Sequence, residues 1–464
     1  MPTVTAAPLQ AAATTVDLTP AAGLPMGGYL LREGAVATGA HDPLEGSIVW
    51  LRDPLGGEIV WVTLDVVGVD EALSSRIAER VASVTGCRSR AVLLCASHTH
   101  SSAAGWFEGL GPLLRDQADE ALRDELLDRL ARAAGSLPTV LEPVWPVLAE
   151  GSAPDAGGNR NDRSGPHDAT VGALALIDAA GQVAAVVLDY ASHATVLGHA
   201  NLAWSADWPG AARRVVADAL ARLTPFAGGE ASNGTASTGR RPTVAFLQGA
   251  AGDASPRFVR RGQQFSEVDR IGGLVGAAAL EAILHAEPMA GPVTAAVADR
   301  AETIPTRELP RAGEATARTD RAEHEWHAAQ EGGASAPEER IARTRYEGAL
   351  MLASLAGAGL PSTVTARISV ATLGDAAWVH LPVELFASFG LAIRDASPFA
   401  WTRVIGYSGG YLGYVADAAA HASGVYEASS SLFDPAGGQA LADAAIDLLR
   451  EAAANRAPAR ELVR

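Results

Sequence analysis

Two histidines stand two residues apart in the segment Ser97-His98-Thr99-His100-Ser101. Imidazole binds borderline metals and exchanges protons near neutral pH, so a close pair points to a metal centre or to acid–base chemistry. The run before it, Ala91 to Ala96, is continuously apolar and reads as a strand covered on both faces. Side chains at i and i+2 of a strand point the same way, about 7 Å apart. The pattern predicts both imidazoles on one face where a core strand meets its loop, the place where α/β sheets bind ligands.

Other strand ends carry reactive groups too. His193 follows the apolar strand Val183 to Leu188, and Asp207 lies in a turn leading into a helix, where it reads as an N-cap or turn residue. The strand Val244 to Gln248 opens into Gly249-Ala250-Ala251-Gly252-Asp253-Ala254-Ser255-Pro256-Arg257. Without a Gly-Lys-Ser/Thr ending this is not a P-loop, and Asp253 and Ser255 either line a pocket or stabilise the turn. Glu384 sits among apolar residues, where a carboxylate is costly unless paired or metal-bound. Tyr411, Tyr414 and Tyr426 cluster near a glycine-rich strand. Histidines, one carboxylate and tyrosines at strand ends suit a metal such as zinc.

The elements that must position these groups read as hairpins and helices. Ser47–Arg52 pairs with Glu58–Leu64, Thr170–Ile177 with Gln182–Tyr190, and Thr363–Leu373 with Ala377–Leu381, each through an Asp/Gly turn. Helices are predicted over Glu71–Val84, Asp116–Ala134, Ala211–Leu223, Val268–His285 and Gly437–Ala454. One or two surface helices, broken near Gly332-Gly333, are expected in Asp320–Leu355. The low-complexity stretch around 226–241 reads as a disordered loop. The expected architecture is a mixed α/β fold, a single large catalytic domain over 1–464 with β-sheets flanked by helices and the active site at strand ends.

Composition narrows the chemistry. The chain has 464 residues, 48% of them hydrophobic, and a formal charge of −17. That balance argues against nucleic-acid partners and against docking on anionic lipid. Every basic residue is arginine, so no Schiff-base lysine, pyridoxal anchor or P-loop lysine is available. Two cysteines, Cys87 and Cys95, exclude a disulfide framework and a cysteine zinc site. Neither a signal peptide nor an apolar stretch of ~20 residues is evident, so a cytoplasmic protein without a transmembrane segment is expected.

In order along the chain, Asp17-Leu18-Thr19-Pro20, Gly27-Gly28-Tyr29, His41-Asp42-Pro43-Leu44, Ser97 to Ser101, Asn159-Arg160, His193 and Ser205-Ala206-Asp207 form a recognisable series. It continues through Gly252 to Pro256, Glu384, Tyr411 to Tyr414 and Tyr426-Glu427-Ala428-Ser429. In this series the chain resembles the neutral/alkaline, non-lysosomal ceramidases, specifically their N-terminal catalytic domain. The resemblance implies one zinc per chain, held by His98, His193, Glu384 and Tyr414. It implies that His100 lies beside the metal and works on the substrate. Tyr426 would face the scissile amide, Arg160 the substrate's polar end, and Asp253, Ser255 and Tyr411 would line the site. The chain departs from the family at Ser102-Ala103, Ser192, Ala194, Arg257 and Gly409, and the family's C-terminal β-sandwich is not expected in it.

The reaction so implied is hydrolysis of a linear amide (N-acyl) bond of a small-molecule or lipid substrate by metal-activated water, an amidase activity within lipid metabolism. An alternative is the same zinc site acting on a soluble N-acyl metabolite, ester or lactone. Another is a non-catalytic metal- or ligand-binding homologue.

Overall fold

Strict alternation along the central strands explains the layering. In β2 (Glu45–Arg52) Ile48 and Trp50 enter one core while Val49 and Leu51 enter another. In β3 (Glu58–Leu64) Val60, Val62 and Leu64 enter the first and Ile59 and Trp61 the second. A strand with apolar residues on both faces must be covered on both. The computed structural model describes residues 8–106, 118–223 and 239–456. Residues 226–238 of the expected loop, and the start of the helix expected from Asp116, lie outside them.

With β1 (Leu9–Asp17), β4 (Val92–Ala96), β5 (Glu142–Ser152), β6 (Thr170–Asp178), β7 (Val183–Tyr190) and β8 (Thr243–Gln248), these strands form one eight-stranded sheet. Its order is β8-β7-β6-β5-β1-β2-β3-β4. A four-stranded sheet follows, β9 (Ala295–Pro305), β10 (Thr363–Leu373), β11 (Ala376–His380) and β12 (Trp401–Ile405), in sequence order. The pairs β3–β4, β7–β8 and β11–β12 are parallel, and the remaining ladders within these two sheets are antiparallel.

The two sheets pack face to face. Trp61, Leu93, Leu174 and Leu247 from the large sheet meet Leu373, Trp378 and Ile405 from the small one. Four helices cover the outer face of the large sheet: α1 (Glu71–Thr85), α2 (Glu120–Ala134), α3 (Asp207–Leu220) and α4 (Phe265–His285). Helices α5 (Ala312–Glu331) and α6 (Ala336–Ala358) form a hairpin, broken at Gly332-Gly333 as expected. The other face of the small sheet is covered by α7 (Ala387–Asp395) and α10 (Pro435–Ala454), with the short α8 (Ala418–Ser423) and α9 (Tyr426–Ser430) between them.

The mixed α/β expectation is met, with sheets flanked by helices. Most boundaries moved by a few residues, as at α3, which starts at Asp207 rather than Ala211, and the largest shift is at α5, which starts at Ala312 rather than Asp320. Among the described residues, no helix is long and apolar enough to cross a membrane.

Candidate metal centre and the cavity beside it

Each of the three parallel strand pairs sends its C-terminal loops to one place. His98 follows β4, and its Nδ1–H donates to Val67 O in the loop after β3, at 2.6 Å. His193 follows β7, and its Nδ1–H donates to Ala251 O in the loop after β8, at 2.6 Å. Glu384 follows β11, and Tyr407, after β12, donates its hydroxyl to Glu384 Oε2 at 3.3 Å. Isolated bridges from Ser408 to Cys95 and from Ile405 to Gly249 tie the small sheet to both ends of the large one.

The resulting cluster is buried: His98, His193 and Glu384 are each 1% exposed or less. Glu384 Oε2 lies 3.1 Å from His193 Nε2 and 3.4 Å from His98 Nε2. Because both Nδ1 atoms donate to carbonyls, which only accept, the lone pairs of both Nε2 atoms face the carboxylate. Burial, and then Arg160, push the His193 imidazole down to about 3. Three converging lone-pair donors, with the outer nitrogens anchored on backbone carbonyls, are a donor set that fits a divalent cation.

His100 joins this cluster. Its Nε2 is 3.1 Å from His98 Nε2, and one ligand atom each from His98, His100 and His193 lies within 4.8 Å of the others. The three histidines can hold a metal ion. Strand alternation is not what brings His98 and His100 together, which corrects the sequence reading. The strand stops at Ala96, and His98 adopts a left-handed φ of 61°. That turn sets the two rings 4.7 Å apart at 87°. Burial pushes the His100 imidazole well below its ordinary value.

Tyr414 approaches from the other side. Its hydroxyl is 3.5 Å from His193 Nε2, and Arg160 Nη2 donates to it at 3.2 Å. A two-residue parallel ladder pairs Glu384 directly with Tyr414. Arg160 also donates Nε–H to Glu427 at 2.6 Å and Nη2–H to Gly252 O at 2.9 Å. His100, Arg160, Ser255, Tyr414 and Tyr426 all line a cavity of about 280 Å³ beside the cluster.

Two proposed pocket residues have other contacts. Asp253 accepts from Asn159 Nδ2 at 2.7 Å and from Ala387 N at 2.8 Å, which fixes its loop behind the cavity wall. Tyr411 donates its hydroxyl to Glu384 Oε1, on the side of Glu384 away from the histidines' contact oxygen. Asp207 accepts from the backbone of Val196, Leu197 and Trp208, so it shapes the loop that carries His193.

Sequence reasoning missed several groups. Tyr407, with a left-handed φ of 52°, packs its ring 4.2 Å from that of His98. Gln248 donates Nε2–H to Ser97 O at 3.1 Å and to Ser192 O at 2.9 Å, and its Oε1 accepts from Ser192 N at 3.3 Å. Helix α6, expected only as a surface helix, supplies Arg340, Arg343, Thr344 and Glu347 to the cavity. The position of Gln248 at a strand end was the one available signal. Nothing local marks α6.

The architecture is thus a mixed α/β sandwich with a buried histidine–carboxylate cluster at the carboxyl ends of parallel strands. No protein-family model matches the sequence, and no curated protein does. Among solved structures, a ceramidase complexed with C2 superposes with a TM-score of 0.72 at 19% identity, covering 96% of this chain and 76% of that one. Neutral ceramidase from Pseudomonas aeruginosa superposes with a TM-score of 0.72 at 20% identity, covering 96% and 74%. The fold is that of the neutral ceramidases.

Proposed function

We propose that this chain is a zinc-dependent hydrolase of acyl amides. The reading is carried by the approach of His98 Nε2 and His193 Nε2 to within 3.4 Å of Glu384 Oε2, beside a cavity that His100 and Tyr414 line. These three residues would hold the ion, with the Tyr414 hydroxyl beside His193 as a fourth ligand. When bound, zinc supplies Lewis acidity that polarises a carbonyl and lets water ionise near neutral pH, against a pKa of about 15.7 in bulk.

The protein's own groups do the rest. His100 faces the cavity, and its buried Nδ1 has no hydrogen-bond partner among the described residues. It takes the proton of the attacking water and passes it to the leaving amine nitrogen. The Tyr426 hydroxyl donates to the carbonyl oxygen as negative charge develops there. Arg160, fixed by Glu427 and Gly252 O, orients the substrate's polar end. Burial of the whole cluster strengthens each of these interactions by excluding water.

The cavity's volume and lining favour a soluble acyl amide over ceramide. Its volume lies near the low end of the roughly 300–1,000 Å³ of small-molecule sites. Most of the residues that line it are charged or polar, with Leu30 and Leu31 among the few apolar ones.

Metal analysis of the purified protein should find about one zinc per chain, and His98→Ala and His193→Ala should each remove both metal and turnover. A metal-free chain that still hydrolyses N-acyl amides overturns the proposal.

A further inference from the structure

The cavity is strongly cationic on a chain whose net charge is −17. Five arginines line it, Arg160, Arg257, Arg260, Arg340 and Arg343, against two carboxylates, Glu347 and Glu427. Both carboxylates are already engaged. Glu427 pairs with Arg160 at 2.6 Å and Glu347 with Arg343 at 3.5 Å. Among the described residues, no carboxylate lies within ion-pair distance of Arg257, Arg260 or Arg340.

Two of these three, Arg257 and Arg260, are not loose surface cations. Arg257 Nη1 donates to Arg160 O at 3.3 Å, and Arg260 Nη1 donates to Val196 O at 3.2 Å. Their stems are partly buried in the loop after β8, while Arg340 projects from α6 opposite. Like charges held together in a partly desolvated cavity destabilise one another unless an anion shares the space. The strain registers on Arg257, which burial, and then the charge of Arg160, bring down to about 10.

We infer that the substrate carries an anionic group, a carboxylate or a phosphate, which Arg257, Arg260 and Arg340 bind together. Guanidinium forks match both anions through paired charge-assisted hydrogen bonds. The inference rests on the reading of this cavity as the substrate site of a hydrolase. It narrows that substrate to an acidic acyl amide, of the kind made by acylating an amino acid or an amino-alcohol phosphate.

The test uses equilibrium binding to the zinc-loaded full chain, followed by turnover. Matched ligands are N-octanoylglycine against N-octanoylglycinamide, and N-octanoyl-phosphoethanolamine against N-octanoylethanolamine. Each anion should bind at least ~10-fold more tightly than its neutral partner, a difference of about 1.4 kcal/mol. The advantage should shrink as salt rises. Arg257→Gln should remove most of it, and so should Arg340→Gln, an exposed position whose change leaves folding intact. The stronger of the two anionic arms identifies carboxylate or phosphate. Equal binding of charged and neutral partners, or an advantage that survives both substitutions, overturns the inference. If the anions bind through the arginines but no amide is cleaved, the anion site stands and the hydrolase reading falls. If amides are cleaved without charge preference, the reverse holds.

Discussion

Gln248 donates its side-chain amide to the carbonyl oxygen of Ser97 at 3.1 Å, and the same amide group bonds both backbone atoms of Ser192. One fully buried side chain thereby joins the loop of His98 to the loop of His193. These loops leave β4, at one edge of the eight-stranded sheet, and β7, next to the other edge, so the ladder alone does not set the distance between them.

Gln248→Leu therefore removes the partner of two carbonyls and one amide at once. A buried polar group left unpaired costs ~1–3 kcal/mol. Denaturant unfolding should show a loss on the order of 3 kcal/mol. A metal titration should show weaker binding, because the two histidines lose their common anchor. An unchanged midpoint and unchanged affinity would mean that the loops are fixed elsewhere.

Gly28 carries a second prediction. Its φ is +88°, and a Cβ there would stand 2.8 Å from His100 Cγ. Gly28→Ala must displace the His100 ring or the loop that carries Tyr29. Hydrolysis should fall at least ~10-fold, as expected when a catalytic group is misplaced by about 1 Å. Metal content should stay at its wild-type level. Loss of metal would instead make His100 a ligand on a par with His98.

The ion pair of Arg160 and Glu427 is nearly dry, with side-chain exposures of 10% and 4%. Glu427→Leu leaves a buried guanidinium without its counter-charge and should cost ~3–5 kcal/mol. The double replacement Arg160→Met with Glu427→Leu should recover much of that stability while turnover stays lost. A double-mutant cycle on unfolding free energies checks this, and additive losses would contradict it.

Asp207 supplies a pH dependence. Burial pushes its carboxyl from 3.8 up to about 6, although three backbone amides oppose the shift. Between about pH 4 and 6 the folded chain holds a proton that the unfolded chain has lost. The contribution of Asp207 to stability is therefore full below pH 4 and declines as pH rises through 6, at up to ~1.4 kcal/mol per pH unit. Unfolding of the wild type and of Asp207→Asn across this range should show the difference curve falling with pH. A flat difference would place the Asp207 pKa at its ordinary value.

Much of the framework was legible in the residues. Alternation and turn chemistry located the three hairpins within a residue or two, since pleating forces period-two burial and Asp/Gly pairs favour tight turns. His98, His193 and Glu384 were marked by their places after buried strands, where a polar group needs a reason to be. Asp207 was harder, because a turn residue and a buried loop anchor look alike along the chain. Tyr407 gave no signal, since only its left-handed backbone and its contact with His98 single it out.

By itself, the sequence determined which chemistries are available: imidazole, carboxylate and phenol at strand ends, arginine as the sole strong cation, and no lysine or cysteine chemistry. Local patterning also set which strands are buried on both faces. Tertiary structure decided which groups meet. His98 and His193 come together because the small sheet bridges to both ends of the large one and Gln248 ties their loops. His98 and His100 approach through a left-handed turn rather than through strand alternation. Helix α6 brings arginines to the cavity from a segment that reads as ordinary surface. Such meetings depend on long-range packing and on side-chain contacts between distant segments, and neither leaves a periodic trace along the chain.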